Sequence, residues 1–324
     1  MRGRAHAAPR KPVSRTSQAE APHAQHITAA QLVPVAVLAL VWGVNWPVLK
    51  LGVTEIAPLT FRALTLPFAA LGLLAIAKAT GDSIRVPRAL WAKVALLGVA
   101  NITGWNGLLL FGVQQLPAGR SAIIAFTMPM WSVLFSLVLL HEPLSGRKAA
   151  GLALGMLGMG VLLGDDIGHI KRTPTAALLV LGAAMCWALG TVLLRKWKPP
   201  LPQNALTGWM MLLGWAPLAA LAPFFDNGAL RSPSPAVWFA LVYNMFLAGT
   251  LAHWAWYSLA RTLPVAISSM SSLPVPIVGV FSGMLLLGER PGAGEWVALG
   301  LVVAAMVAVL WVPKAPAVTP APDN

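Results

Sequence analysis

Charge is what this chain has least of. Asp, Glu, Lys and Arg together make up 10% of its 324 residues, where a soluble domain carries about 25%. A globule of this length with so few charges cannot cover itself with a wetted surface. Acids are scarcer than bases, 10 against 23, which leaves a formal charge of +13. There is one cysteine, Cys186, set in an apolar run; it excludes an internal disulfide and a Cys-rich metal site. No cluster of His, Asp and Glu has metal-ligand spacing, and no Gly-rich phosphate loop opens a helix. These gaps argue against an enzyme and against pumping by ATP on this chain. No metal or other cofactor is expected.

The surplus of positive charge does not mark a nucleic-acid binder. Arg2, Arg4, Arg10, Lys11 and Arg15 lie in an N-terminal tail, and most of the others close the ends of apolar runs. No basic stripe interleaved with aromatics sits on a polar domain. At the ends of apolar runs, Lys and Arg meet lipid phosphates and set orientation. The partner implied is the lipid bilayer, with no nucleic acid.

What the chain does have is apolar length. Hydrophobic residues make up 57% of it, and the mean hydropathy is +0.73. A bilayer crossing takes about 20 mainly apolar residues. Ten such runs can be drawn, at 32–51, 59–77, 90–112, 119–140, 148–164, 175–194, 205–225, 236–259, 265–287 and 294–312. The connections are short and hold turn formers and charges, among them Asp165-Asp166 and Asp226-Asn227-Gly228. The fold class expected is therefore all-α integral membrane, with ten transmembrane helices. Placing the N-terminus in the cytoplasm puts 16 of the 23 Lys and Arg on that side and 7 on the other, so both termini are expected inside a cell (inner) membrane. Residues 1–30 read as a disordered cytoplasmic tail or, being Arg-rich and acid-poor, as an organelle transit segment. Residues 314–324 form a second cytoplasmic tail.

Residues 116–142 align without a gap to residues 263–289, at an offset of 147, with eight of 27 positions identical. The matches include Pro117 with Pro264, Ser121 with Ser268, Pro129 with Pro276 and Glu142 with Glu289. Shared membrane composition matches Leu and Val by chance, but not prolines and a glutamate at fixed spacing. The repeat unit holds five helices, so the second copy enters the membrane from the opposite side. The expected units are 31–164 and 165–313, two inverted five-helix repeats that can rock about a central site by alternating access.

Several local patterns also fit one known family. Trp42, Gly43, Asn45 and Trp46 in the first span, Pro58, Phe61 and Arg62 entering the second, and His141-Glu142-Pro143 repeated as Gly288-Glu289-Arg290-Pro291 resemble the drug/metabolite transporter superfamily, EamA type. The resemblance covers about residues 31–313. It implies ten helices in inverted repeats, moving metabolites across a bacterial membrane. His141 stands where the family usually has Gly.

Polar groups that persist in lipid face the bundle interior or a water-filled path. Helical spacing places Trp42, Asn45 and Trp46 on one face of the first span, and Asn101 with Trp105, Asn106 beside them, on the third. The eighth offers Tyr243, His253, Trp254 and Tyr257, and the ninth offers Ser268 and Ser272 ahead of Pro274 and Pro276. Trp131 and Trp187 complete the expected substrate-binding set. Each polar member could also serve only as glue between helices. Arg62, Glu142 and Glu289 are expected to gate or anchor, with Arg62 snorkelling to the interface. His253 is the candidate proton-sensing group, since imidazole titrates near neutrality. Gly151 with Gly155, and Gly160 with Gly164, allow close helix contact within the monomer or in a homodimer. The function expected is secondary transport, as an exporter of amino acids or related small metabolites driven by a gradient or by protons. The alternatives are efflux of aromatic or cationic drugs, and a membrane-embedded enzyme or sensor.

Overall fold

The structure, a computed structural model, describes residues 29–168, 174–226, 232–256 and 272–310. The expected tails therefore lie almost wholly outside the described residues, and so does the first part of the ninth span. The described helices are α1 (Ala29–Glu55), α2 (Pro58–Ala79), α3 (Arg88–Gln115), α4 (Ala118–Leu139) and α5 (Gly146–Gly168). They continue with α6 (Pro174–Trp197), α7 (Gln203–Phe225), α8 (Pro235–Trp256), α9 (Pro274–Leu287) and α10 (Ala293–Leu310). Among the described residues, eight of these are long and apolar enough to cross a bilayer; α9, 14 residues in its described part, is shorter. The protein is thus an all-α integral membrane protein. Asp165 and Asp166, expected in a loop, continue helix α5.

The packing is reciprocal in the way the repeat requires. Helix α2 packs on α7 and α5 on α10, each the counterpart of the other. The pairing of α1 with α9 is matched by α6 with α4, that of α3 with α6 by α8 with α1, and that of α2 with α8 by α7 with α3. Backbones approach closely where side chains are small: a Cβ on Gly214 of α7 would lie 2.5 Å from the Gly98 carbonyl of α3. Close approach of this kind is how helices associate in lipid, where burial gives no hydrophobic gain. Gly151 and Gly155 are contacts within the monomer, against Val309 of α10 and Met130 of α4. Gly160 faces open space.

Local backbone features repeat as well. Helix α4 breaks at Phe126–Thr127, and the turn before α9 falls at residues 272–273. The helix resumes in each copy with proline in its first turn, where a missing N–H is harmless. At the far ends, the Glu142 N–H bonds the Ser136 carbonyl and the Glu289 N–H the Gly283 carbonyl, each at 3.3 Å. The residue before each glutamate is left-handed, His141 at φ 54° and Gly288 at φ 66°. Each copy thus ends in the same way, with a left-handed residue followed by a bond to the carbonyl six residues back.

Prolines inside the spans release carbonyls that neighbouring helices then use. Pro47 leaves the Gly43 carbonyl without its helical donor, and Ser282 Oγ donates to it at 3.3 Å. Pro67 does the same for Ala63, whose carbonyl accepts Trp215 Nε1 at 2.9 Å. Sequence thus dictates α1–α9 and α2–α7 ties in a medium where no water can substitute.

Candidate substrate cavity

A cavity of about 850 Å³, its open mouth included, lies where α1, α2, α3, α6 and α8 meet. Helix α1 contributes Trp42, Asn45, Trp46 and Leu49, which its 3.6-residue period lays on one face. Trp42 Nε1 donates to the Ala248 carbonyl at 3.3 Å, and its ring meets that of His253 edge-on with centroids 5.3 Å apart. On the far wall Trp105 of α3 and Trp187 of α6 lie 5.1 Å apart. Each of these two pairs takes one residue from each half of the chain. Phe126, at the break in α4, closes on Trp46 at 6.3 Å.

Besides Asn45 and Arg62, the polar part of the wall comes from two helices wound in part more loosely than α. Residues Val99–Gly104 of α3 and Tyr243–Leu251 of α8 are π-helical, a geometry concentrated at functional sites. On α3 the cavity is lined by Ile102, Trp105, Asn106 and Leu109, and on α8 by Asn244, Ala248, Gly249 and His253. Asn106 Nδ2 bonds the Ile102 carbonyl at 2.9 Å. Asn244 Nδ2 bonds the Ala240 carbonyl at 3.0 Å, which aims its Oδ1 at Arg62, whose Nη1 donates to it at 3.0 Å. His253 Nδ1 sits 3.1 Å from the Ala248 carbonyl.

Arg62 is 7% exposed and forms part of the cavity wall, rather than reaching to the interface as snorkelling requires. Its Nε is buried without a partner, and so is Asn45 Oδ1. Among the described lining residues Arg62 is the one side chain with a permanent charge, and none is a carboxylate.

The expected binding residues thus divide. Trp42, Asn45, Trp46, Trp105, Trp187 and His253 line the cavity together. Asn101 instead packs on Gly190 of α6, bonded to the Leu97 carbonyl at 3.3 Å. Tyr243 ties α8 to α1 through its hydroxyl, 2.7 Å from the Val41 carbonyl. Trp131 lies outside the cavity, its Nε1 3.3 Å from Thr127 Oγ1. Trp254 is 38% exposed on the outside of the bundle, and Ser272, in the turn before α9, does not line the cavity. Tyr257 and Ser268 lie outside the described residues. Sequence reasoning missed Asn244, whose only signal was its position beside Tyr243.

The two glutamates of the repeat hold opposite ends of the bundle. Glu289 accepts from the amides of Ala118 and Gly119 at 2.5 and 3.0 Å, at the start of α4. Lys50 holds the same turn from the other side, donating to the carbonyls of Val113, Gln114 and Leu116 at 2.8–2.9 Å. At this end Asp226 also caps α2 through Thr60 N at 2.5 Å, and Glu55 takes Ser234 N at 2.8 Å. At the opposite end Glu142 pairs with Lys148 at 3.1 Å and with Arg195. Burial pushes the Glu142 carboxyl up, but hydrogen bonds and charge from Lys148 and Arg195 outweigh it and hold it below the usual carboxylate range.

The EamA-like transporter family model matches this chain twice, over residues 32–164 and 174–311. The chain belongs to the EamA-like transporter family. Its curated relatives include the uncharacterized inner membrane transporter YedA of Escherichia coli K12, 28% identical over 84% of this chain and 88% of that protein. The uncharacterized transporter YoaV of Bacillus subtilis is 24% identical over 78% of this chain and 87% of its own. A probable amino-acid metabolite efflux pump of E. coli K12 is 26% identical over 78% and 85%. A solved crystal structure with 18% identity superposes with a TM-score of 0.62, covering 87% of this chain and 96% of that one, a likeness of fold. This EamA-like protein is accordingly a multi-pass membrane transporter of small molecules.

Proposed function

We propose that this protein is a secondary carrier that exports amino acids or related small metabolites across the inner membrane by alternating access. The observation that supports it best is the cavity at the meeting of the two repeats, aromatic on its sides and polar at a few fixed points. Ligand sites of small molecules have this composition. Inverted repeats around such a site let one half rock against the other. Glu142 and Glu289 anchor the two ends in turn, both termini face the cytoplasm, and energy comes from the substrate gradient or from protons through His253. Named efflux activity in the E. coli relative agrees with the direction.

Counterflow in proteoliposomes tests the reading. Vesicles loaded in turn with amino acids, nucleobases and aromatic cations are assayed with the wild type and with Trp105→Ala. The expected result is saturable exchange of at least one amino acid or related metabolite, weakened about tenfold when the Trp105–Trp187 wall is opened. Conductance without saturation, or no exchange by a folded protein across the panel, refutes it.

A further inference from the structure

The geometry points to a zwitterion site inside this cavity, with Arg62 taking a substrate carboxylate and Asn45 its ammonium group. This rests on the reading of the cavity as the place where substrate binds.

A guanidinium out of water is costly unless it is paired. Arg62 is 7% exposed, and among the described residues its hydrogen-bond partner is a neutral amide oxygen, Asn244 Oδ1 at 3.0 Å. Its Nε stays buried with nothing to donate to. Among the described residues no carboxylate shares the cavity wall. The site therefore has the donor fork of an ion pair and lacks the anion, and a carboxylate fits that fork with two parallel bonds.

Asn45 presents the complementary vacancy. Its Oδ1 is a buried acceptor without a donor, on the same cavity. One unused donor and one unused acceptor match the two charged ends of an α-amino acid. The aromatic walls, Trp42, Trp46, Trp105 and Trp187, are left for an apolar side chain. Asn244 then acts as a positioning residue: its own bond to the Ala240 carbonyl at 3.0 Å fixes the oxygen that orients the guanidinium. A purely cationic drug would bring a second positive charge beside Arg62 and supply no anion, so the same wall selects against it.

The test is equilibrium binding to the purified full chain in nanodiscs, using three probes on one skeleton: L-phenylalanine, phenylpropionate and L-phenylalaninamide. The expected order is phenylalanine tightest, then phenylpropionate, with the amide about 10–100-fold weaker than the amino acid. Arg62→Gln should collapse that ratio to within about threefold. Asn244→Asp gives Arg62 an internal counter-ion in the same volume; it should fold with undiminished thermal stability and lose the same preference. Asn45→Leu should narrow the gap between phenylalanine and phenylpropionate. Equal or tighter binding of the amide, no saturable binding of any probe, or a preference unchanged in both Arg62→Gln and Asn244→Asp overturns the assignment. Carboxylate preference in a protein that carries out no counterflow would instead leave the site standing and sink the carrier reading.

Discussion

Glu289→Ala strips the start of α4 of the one acceptor from outside the helix that the described residues provide. The N-cap of that segment is Pro117, which offers no side-chain bond. The amides of Ala118 and Gly119, both buried, are served by the two Glu289 oxygens at 2.5 and 3.0 Å. An orphaned buried N–H costs about 1–3 kcal/mol, and loss of a carboxylate from a helix N-terminus adds about 0.3–1 kcal/mol. Glu289 itself is half-buried, so water can reach part of the vacancy. A loss of about 2–4 kcal/mol is expected for Glu289→Ala. Glu289→Gln keeps one oxygen but turns an amide donor towards the other N–H, and about 1–2 kcal/mol is expected. Equilibrium unfolding of the purified chain in dodecylmaltoside–SDS mixtures reads both. A change below about 0.5 kcal/mol for Glu289→Ala would show that the contact is not a cap, whatever its geometry.

Two further outcomes follow from the matching ends of α4 and α9. His141 holds φ 54° where its repeat partner is Gly288; relief of left-handed strain, less the added freedom of the unfolded chain, makes His141→Gly stabilising by about 0.5–1 kcal/mol in the same unfolding assay. A destabilised variant would mean that the imidazole makes a contact worth more than the strain. The Glu142 carboxyl lies below its unfolded value because Lys148 and Arg195 prevail over burial. Its contribution is therefore present above the unfolded pKa of about 4.3 and lost as pH falls through the lower folded value. The stability gap between wild type and Glu142→Gln should close on acidification below about pH 4, and a gap that widens there contradicts the assignment.

How much of the site could be read from sequence depended on how regular each helix is. Trp42, Asn45 and Trp46 lie on one face in the sequence pattern and line one cavity in the structure, because α1 keeps its 3.6-residue period past Pro47. On α3 and α8 the same period pointed to Asn101 and Tyr243, while the cavity is lined by Asn106 and Asn244. Both stretches run through π turns, Val99–Gly104 and Tyr243–Leu251, which a 3.6-residue period does not follow, and no residue type signals a π turn reliably. Arg62 sits one turn into α2, where snorkelling is the ordinary expectation. Its burial depends on the approach of α8, where a Cβ on Gly249 would lie 2.4 Å from that of Ala69; that is a tertiary fact. The repeat was legible because Pro129, Pro276, Glu142 and Glu289 each perform a backbone task that few other residues can.

The glutamates also show how a symmetric fold acquires a preferred state. Both follow a left-handed residue and bond the carbonyl six residues back, so their local geometry is alike. Their partners are not. Glu289 is spent on buried amides at an end where Lys50, Asp226 and Glu55 add further ties to helix termini. Glu142 meets Arg195 and Lys148, whose side chains are 54% and 32% exposed. Exposed ion pairs of that kind contribute about 0–1 kcal/mol, whereas parting a carboxylate from buried amides costs several times more. The starts of α3 and α7, at the Glu142 end, carry no side-chain cap. Under the proposed rocking motion, the Glu142 end is the one that opens at lower cost. The Glu289 end would then stay shut until substrate binding supplies the difference, a coupling for which a buried, unneutralised Arg62 between the two ends is well placed.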